Sequence, residues 1–217
     1  MSSVWRGFVG FVVLAFATCS DAALVSYDLD QSNELPDGRA YLRVTIDDQG
    51  LPGRINFNVS VLSPLLAIVD QNFGLQRFGF NSSFSLSSAK VIGLPGDWRY
   101  DGSGSMGGFG RYDALVEANT GNARLRALSF SITGISLDTI SSYLLPSSGH
   151  AENGNFFFAA HVGGFNFPGE YCVTSAYFAG SRPSLPATVP LPASAWLLLV
   201  GLGVLAFPVR GRPTRVR

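Results

Sequence analysis

Two histidines, His150 and His161, are the only imidazoles in the chain, and general-base chemistry near neutral pH would fall to one of them first. A hydrolytic triad needs such a histidine beside a serine and an acid. Serine is so abundant here that proximity to one carries no information, and no G-x-S-x-G elbow occurs. His161 alternates with Phe157 and Ala159 along an expected strand, while His150 sits in the loop "SSGHAENG". Packed or solvent-facing histidines are the preferred reading, with a hydrolase as the alternative. Calcium is the next chemistry to weigh. Asp97, Asp101 and Asp113 flank the glycine-rich stretch "DGSGSMGG", and hard cations take several oxygen ligands from such loops. The spacing fits no EF-hand, and Arg99 and Arg111 lie among the three as charge partners, so ion pairs are preferred over metal. The stretch also lacks the lysine and helix start of a phosphate loop, and reads as a flexible loop. Sugar binding would use exposed aromatic faces. Trp98 and Tyr100 are the candidates beside that loop, with Phe109 and Tyr112 read as core. No residue pattern calls for a cofactor.

The elements that must position these groups are strands. "RINFNVSVL" sets Ile55, Phe57, Val59 and Val61 on one face and Arg54, Asn56, Asn58 and Ser60 on the other. "YLRVTI", "LRALSFSI" and "FFFAAHV" repeat the alternation, the last through Phe156, Phe158, Ala160 and Val162. The turn cluster "DDQGLPG" joins the first two of these as an antiparallel hairpin. Further short strands are expected at Leu24–Leu29, Phe73–Asn81, Trp98–Tyr100, Asp113–Glu117 and Cys172–Phe178, and "SLDTISSYL" as a helical turn starting near Asp138. Many short strands between turn signals predict an all-β chain, a single antiparallel sandwich or jelly-roll-like domain over residues 23–181.

Both ends of the chain depart from this pattern. At the start, Arg6 precedes an uncharged run from Gly7 to Thr18, and small residues follow. This order is that of a secretory signal peptide, residues 1–22, with cleavage after Ala22 or Ala23. The run is too short for a comfortable span of roughly 20 apolar residues. Residues Phe16–Thr18 before Cys19 suit a lipoprotein signal poorly, so lipidation is not favoured. Removing Cys19 leaves Cys172 alone, which excludes an internal disulfide and reads as a small buried hydrophobe. Charge points the same way. The precursor carries 15 cations and 15 acids. Without Arg6, Asp21 and the four terminal arginines, ten cations face fourteen acids, a net charge near −4. That balance argues against a nucleic-acid partner.

At the other end, residues 182–194 form a proline-rich linker in which Pro183, Pro186, Pro190 and Pro192 favour extended chain. Residues 195–209 are apolar and uncharged, and would make about 22 Å of helix, or a full span with the preceding residues. Arg210, Arg212, Arg215 and Arg217 then stop transfer on the cytoplasmic side. A C-terminal helix packed on the domain is the alternative, but it would be apolar all round. Val189, Pro190, Leu191, Pro192 and Ala193, the apolar run and the basic end together resemble the VPLPA variant of the PEP-CTERM sorting signal, over Val189–Arg217. The basic end is spaced as "RGRPTRVR" rather than packed, and Pro208 interrupts the last turn. The resemblance implies a Gram-negative exported protein, first handled by the secretion machinery and signal peptidase. It would be anchored in the inner membrane as a precursor and then processed by an exosortase. Release to the cell surface or outside would follow, in bacteria that make exopolysaccharide and biofilm. "NFGLQRFGFNSS", "LPGDWRYDGSGSMGGFGRYD" and "FFFAAHVGGF" are similar to β-domains that precede such tails and that bring no established activity. The expectation is a non-enzymatic structural or binding protein with exopolysaccharide as a possible partner. A carbohydrate- or calcium-binding module is the alternative.

Overall fold

The computed structural model describes residues 22–166 and 173–184. These belong to the first of the two units into which the chain divides, Met1–Ser184 and Leu185–Arg217. Residues 1–21 of the expected signal peptide, Cys172, the VPLPA motif, the apolar run and the arginine end lie outside the described residues.

In chain order the first strands are β1 (Leu24–Leu29), β2 (Gln31–Ser32), β3 (Leu42–Asp47), β4 (Arg54–Val61), β5 (Val69–Phe80) and β6 (Val91–Ile92). They are followed by β7 (Trp98–Ser105), β8 (Arg111–Ala118), β9 (Ala127–Thr133), β10 (Phe158–Phe165), β11 (Ser175–Gly180) and β12 (Arg182–Pro183). One antiparallel sheet runs in the order β12-β1-β3-β4-β9-β6, and the other in the order β2-β11-β10-β5-β8-β7. The fold is therefore all-β, as the alternation implies. The expected hairpin is β3–β4, in register from Leu42↔Val61 to Asp47↔Asn56. Its turn takes positive φ at Gln49, Gly50 and Gly53.

Period-two patterning decides what lies between the sheets. Leu42, Val44 and Ile46 from β3, Ile55, Phe57 and Val59 from β4, and Leu128, Phe130 and Ile132 from β9 are all buried. Phe57 is central. Its ring stacks on Phe130 at 5.0 Å and meets Phe80 of the other sheet at 5.0 Å. Phe78 lies 6.4 Å away, and Tyr143 closes edge-on at 5.5 Å. Each such ring, fully buried, contributes roughly 1.5–3 kcal/mol of transfer free energy, with a further increment for favourable ring pairing.

One side of the sandwich is closed by two strands that change sheets. The chain passes from β1 to β2 at Asp30, and from β11 to β12 at Ser181. Strands that switch sheets in this way build the corners of β-sandwiches. The backbones touch there: a Cβ added to Gly180 would lie 2.1 Å from the Asp28 carbonyl oxygen. Charges tie the same corner. Arg43 Nε donates to Asp28 Oδ1 at 2.8 Å, and Arg182 lies 3.7 Å from Asp30.

Three sequence expectations are corrected and one holds. The "DGSGS" part of the glycine-rich stretch is not a flexible loop but the second half of β7. There Gly102 and Gly104 pair with Leu115 and Tyr112 of β8 across two register shifts. Glycines carry no side-chain alternation, so the strand signal stops at Tyr100 although the backbone ladder continues. "SLDTISSYL" forms the expected helical turn, a 3₁₀ turn at Ile140–Tyr143 with Thr139 at its N-cap, and Asp138 just before it accepts the Tyr143 hydroxyl at 2.7 Å. The sheet extends past residue 181 into the expected linker, since Pro183 sits on an edge strand where its missing N–H costs nothing. Phe156 precedes β10 and packs on Phe109 at 5.8 Å, outside the main core.

The corner makes a prediction. Gly180→Ala has no space against a fixed carbonyl and is expected to cost at least about 2 kcal/mol. Gly96→Ala, with nothing within 4 Å of the new methyl, leaves stability unchanged. Urea unfolding of the two variants checks this, and equal midpoints would refute the close contact.

Candidate functional site

Alternation that sends Phe78, Val116, Ala160 and Phe178 into the core must send their neighbours outward. Those neighbours are Arg77 on β5, Glu117 on β8, His161 on β10 and Tyr177 on β11. Register places them side by side: Tyr177 faces His161, His161 faces Arg77, and Arg77 faces Glu117. Arg99 on β7 completes the row opposite Glu117. Five adjacent strands thus each supply one polar or charged side chain to a ladder across the outer face of the second sheet.

Glu117 is the hub. Arg77 Nε donates to Glu117 Oε2 at 2.8 Å and Arg77 Nη2 donates to the same oxygen, while Arg99 Nη2 donates to Oε1. The carboxylate is nearly buried, at 9% side-chain exposure, but the arginines are 34% and 51% exposed. Arg99 Nη1 also donates to Asn119 Oδ1 at 3.2 Å, and its Nε lies 3.6 Å from Asp101. Arg77, Arg99 and Glu117, with His161 and Tyr177, line a cavity of about 310 Å³ together with the amides of Gln76 and Asn119.

His161 stacks on Tyr177 with ring centroids 4.3 Å apart and planes at 15°. Burial, then the nearby Arg124 and Arg77 guanidiniums, push its pKa down to about 4. Arg124 lies flat on the backbone, where a Cβ at Gly163 would come within 2.7 Å of its Cζ. It donates to Gln76 Oε1 at 2.9 and 3.2 Å and to the Asn72 carbonyl at 3.3 Å. Both acceptors are neutral.

Next to the ladder, the same outer face carries a second apolar cluster of Met106, Phe109, Tyr112, Leu115, Ala159 and Ala179. The segment around residues 147–156 covers it. Ser147 Oγ donates to the Phe109 carbonyl at 2.6 Å, and the Tyr112 hydroxyl to the Phe156 carbonyl at 3.1 Å. Phe109 and Tyr112 are buried, as expected.

The residues singled out from sequence fall elsewhere. Trp98 is 5% exposed and its indole N–H donates to the Ala123 carbonyl at 2.8 Å, so it presents no free face for a sugar ring. Tyr100 is half-buried and lines a different cavity, of about 370 Å³, with Asp113 and Ser82, Ser83 and Ser85. The calcium candidates are not gathered. Asp101 pairs with Arg99, Asp113 faces the second cavity, and no three acids, histidines or cysteines converge among the described residues. Asp97 is exposed and its carbonyl takes the Asn119 N–H at 2.7 Å. His150 lies exposed in its loop. Sequence reasoning missed Arg77, Arg99, Glu117, Arg124 and Tyr177 as a group. Arg77, Arg99 and Glu117 signalled only as charges in the polar phase of a strand, which does not say which strands adjoin, while Tyr177 carries no charge and Arg124 follows a 3₁₀ turn.

No family model, curated protein or solved structure matches this chain.

Chemically the ladder can hold an anion, and its imidazole is uncharged at neutral pH. A base with a pKa of about 4 is weak there. The sign of the linkage follows. Between about 4 and the ordinary 6.5 the unfolded chain binds a proton that the folded chain does not, so stability falls as pH drops through that window. In a His150→Ala chain, the His161 imidazole resonances should titrate near 4 by NMR. A midpoint near 6.5 would refute the buried, cation-flanked environment.

Proposed function

We propose that this chain is the precursor of an exported bacterial surface protein. On this reading its β-domain is a non-enzymatic binding or structural module and its C-terminal tail is cut by an exosortase. The observation that carries the reading is the order of VPLPA at Val189–Ala193, an apolar run and Arg210–Arg217 at one end, with a signal-peptide pattern at the other. The physical logic is a stalled transfer: the apolar segment parks in the bilayer, the arginines resist crossing, and the proline-rich motif is held near the membrane surface.

The non-catalytic reading is supported by His161, whose neighbours are Arg77, Arg124 and the Tyr177 ring rather than an activated nucleophile. The choice of N-terminal cut is supported by Ala23. Its backbone nitrogen donates to Asp48 Oδ1 at 2.8 Å and its carbonyl accepts from the Asp48 N–H at 3.2 Å. Cleavage after Ala22 turns that amide into an α-ammonium facing a carboxylate. Cleavage after Ala23 would discard the partner.

Intact-mass measurement of the protein recovered from its host tests the reading. The expected product begins at Ala23 and lacks the apolar run and terminal arginines. A full-length mass overturns the processing proposal, and a product beginning at Leu24 overturns the choice of cut.

A further inference from the structure

We infer that the Arg77–Arg99–Glu117–His161 ladder is a binding site for the carboxylate of a uronic-acid sugar. The charge count comes first. Of the residues lining the cavity, Arg77 and Arg99 bring two guanidiniums and Glu117 one carboxylate. One positive charge is left over. Just outside the lining, Arg124, whose partners are the neutral Gln76 amide and a backbone carbonyl, and Asp101, 3.6 Å from Arg99, offset each other. Arg77 spends Nε and Nη2 on a single Glu117 oxygen, which leaves its Nη1 hydrogens without a partner among the described residues. A partly exposed guanidinium edge with spare donors is the group that recognises a planar carboxylate. A surplus of one matches a monoanion better than a doubly charged phosphate.

The rest of the lining selects a sugar over an acidic peptide. Beyond the charged groups it offers the amides of Gln76 and Asn119 and the uncharged His161, which donate to and accept from hydroxyls. Ala118 and the Tyr177 ring are its apolar surfaces, and that ring is already stacked on His161, so there is no pocket for a hydrophobic residue beside the acid. A cavity of about 310 Å³ is at the small end of ligand sites and suits one sugar unit. Glu117 is then an internal competitor for the arginines, which limits affinity and fixes their geometry.

This rests on reading the β-domain as a binding module, but not on processing at either end. The test is calorimetric titration of the full chain in detergent micelles with oligogalacturonate and with its methyl ester, which keeps the hydroxyls and removes the charge. The acid should bind at least about tenfold more tightly than the ester, and salt should weaken it. Arg77→Lys, which keeps the charge beside Glu117 but removes the guanidinium edge, should lower affinity by about tenfold, while Glu117→Gln should raise it severalfold by removing the competitor, both with melting checked in parallel. A purely structural Glu117 would give no gain. Equal binding of acid and ester, an Arg77→Lys chain with unchanged affinity, or tighter binding of oligoglutamate than of oligogalacturonate would each overturn the inference. Correctly trimmed protein that ignores oligogalacturonate sinks this inference alone. Untrimmed protein that binds it sinks only the sorting proposal.

Discussion

The layer of rings centred on Phe57 is the constraint from which the outer surface follows. Phe57, Phe78, Phe80 and Phe130 fill the space between the sheets, so β4, β5 and β9 must each present a particular parity of residues inward. Side chains alternate with a period of two, and a slip of one residue would drive Arg77 into the rings and Phe78 into water. Fixing the inner face therefore fixes the outer one. The charged ladder is the obligatory reverse side of an aromatic core, and its strand-to-strand alignment needs no separate explanation.

Glu117 adds a second restraint on the same register. A nearly buried carboxylate is costly unless paired, and two arginines on the neighbouring strands pair it. Such pairs contribute little net stability compared with apolar residues of similar size, because desolvation offsets the attraction. Their effect is discriminatory. Misaligned β5–β8 or β7–β8 ladders would strand a buried charge, while the native alignment leaves only guanidinium edges exposed. The same arrangement explains why the surface there is cationic although the domain as a whole is acidic.

The sheets were legible in the sequence where both faces carried side chains. Ile55, Phe57 and Val59 alternate with Asn56, Asn58 and Ser60, so β4 and its hairpin with β3 could be placed with their faces. Legibility failed at Asp101–Ser105, where glycines remove the period, and at Arg182–Pro183, where proline's usual exclusion from strands does not reach an edge. The site was less legible than the fold for a topological reason. Arg77, Glu117 and His161 are separated by dozens of residues, and only the order β11-β10-β5-β8-β7 makes them neighbours. Trp98 stood out in the sequence because of its type, yet an indole whose N–H finds a carbonyl is more stable inside than on a surface.

Pairing at the edge of the first sheet bears on the proposed removal of both ends. β12 runs antiparallel to β1, with Pro183 opposite Tyr27, and the Ser184 N–H donates to the Ser26 carbonyl at 2.8 Å. Each step toward Ser184 is thus a step back along β1 toward Ala23, so the described chain enters and leaves at the same end of the same edge. Cuts placed outside Ala23 and Ser184 would break no ladder bond of either sheet. The corner at Gly180 and Asp28, the aromatic layer and the outer ladder all lie between those two points.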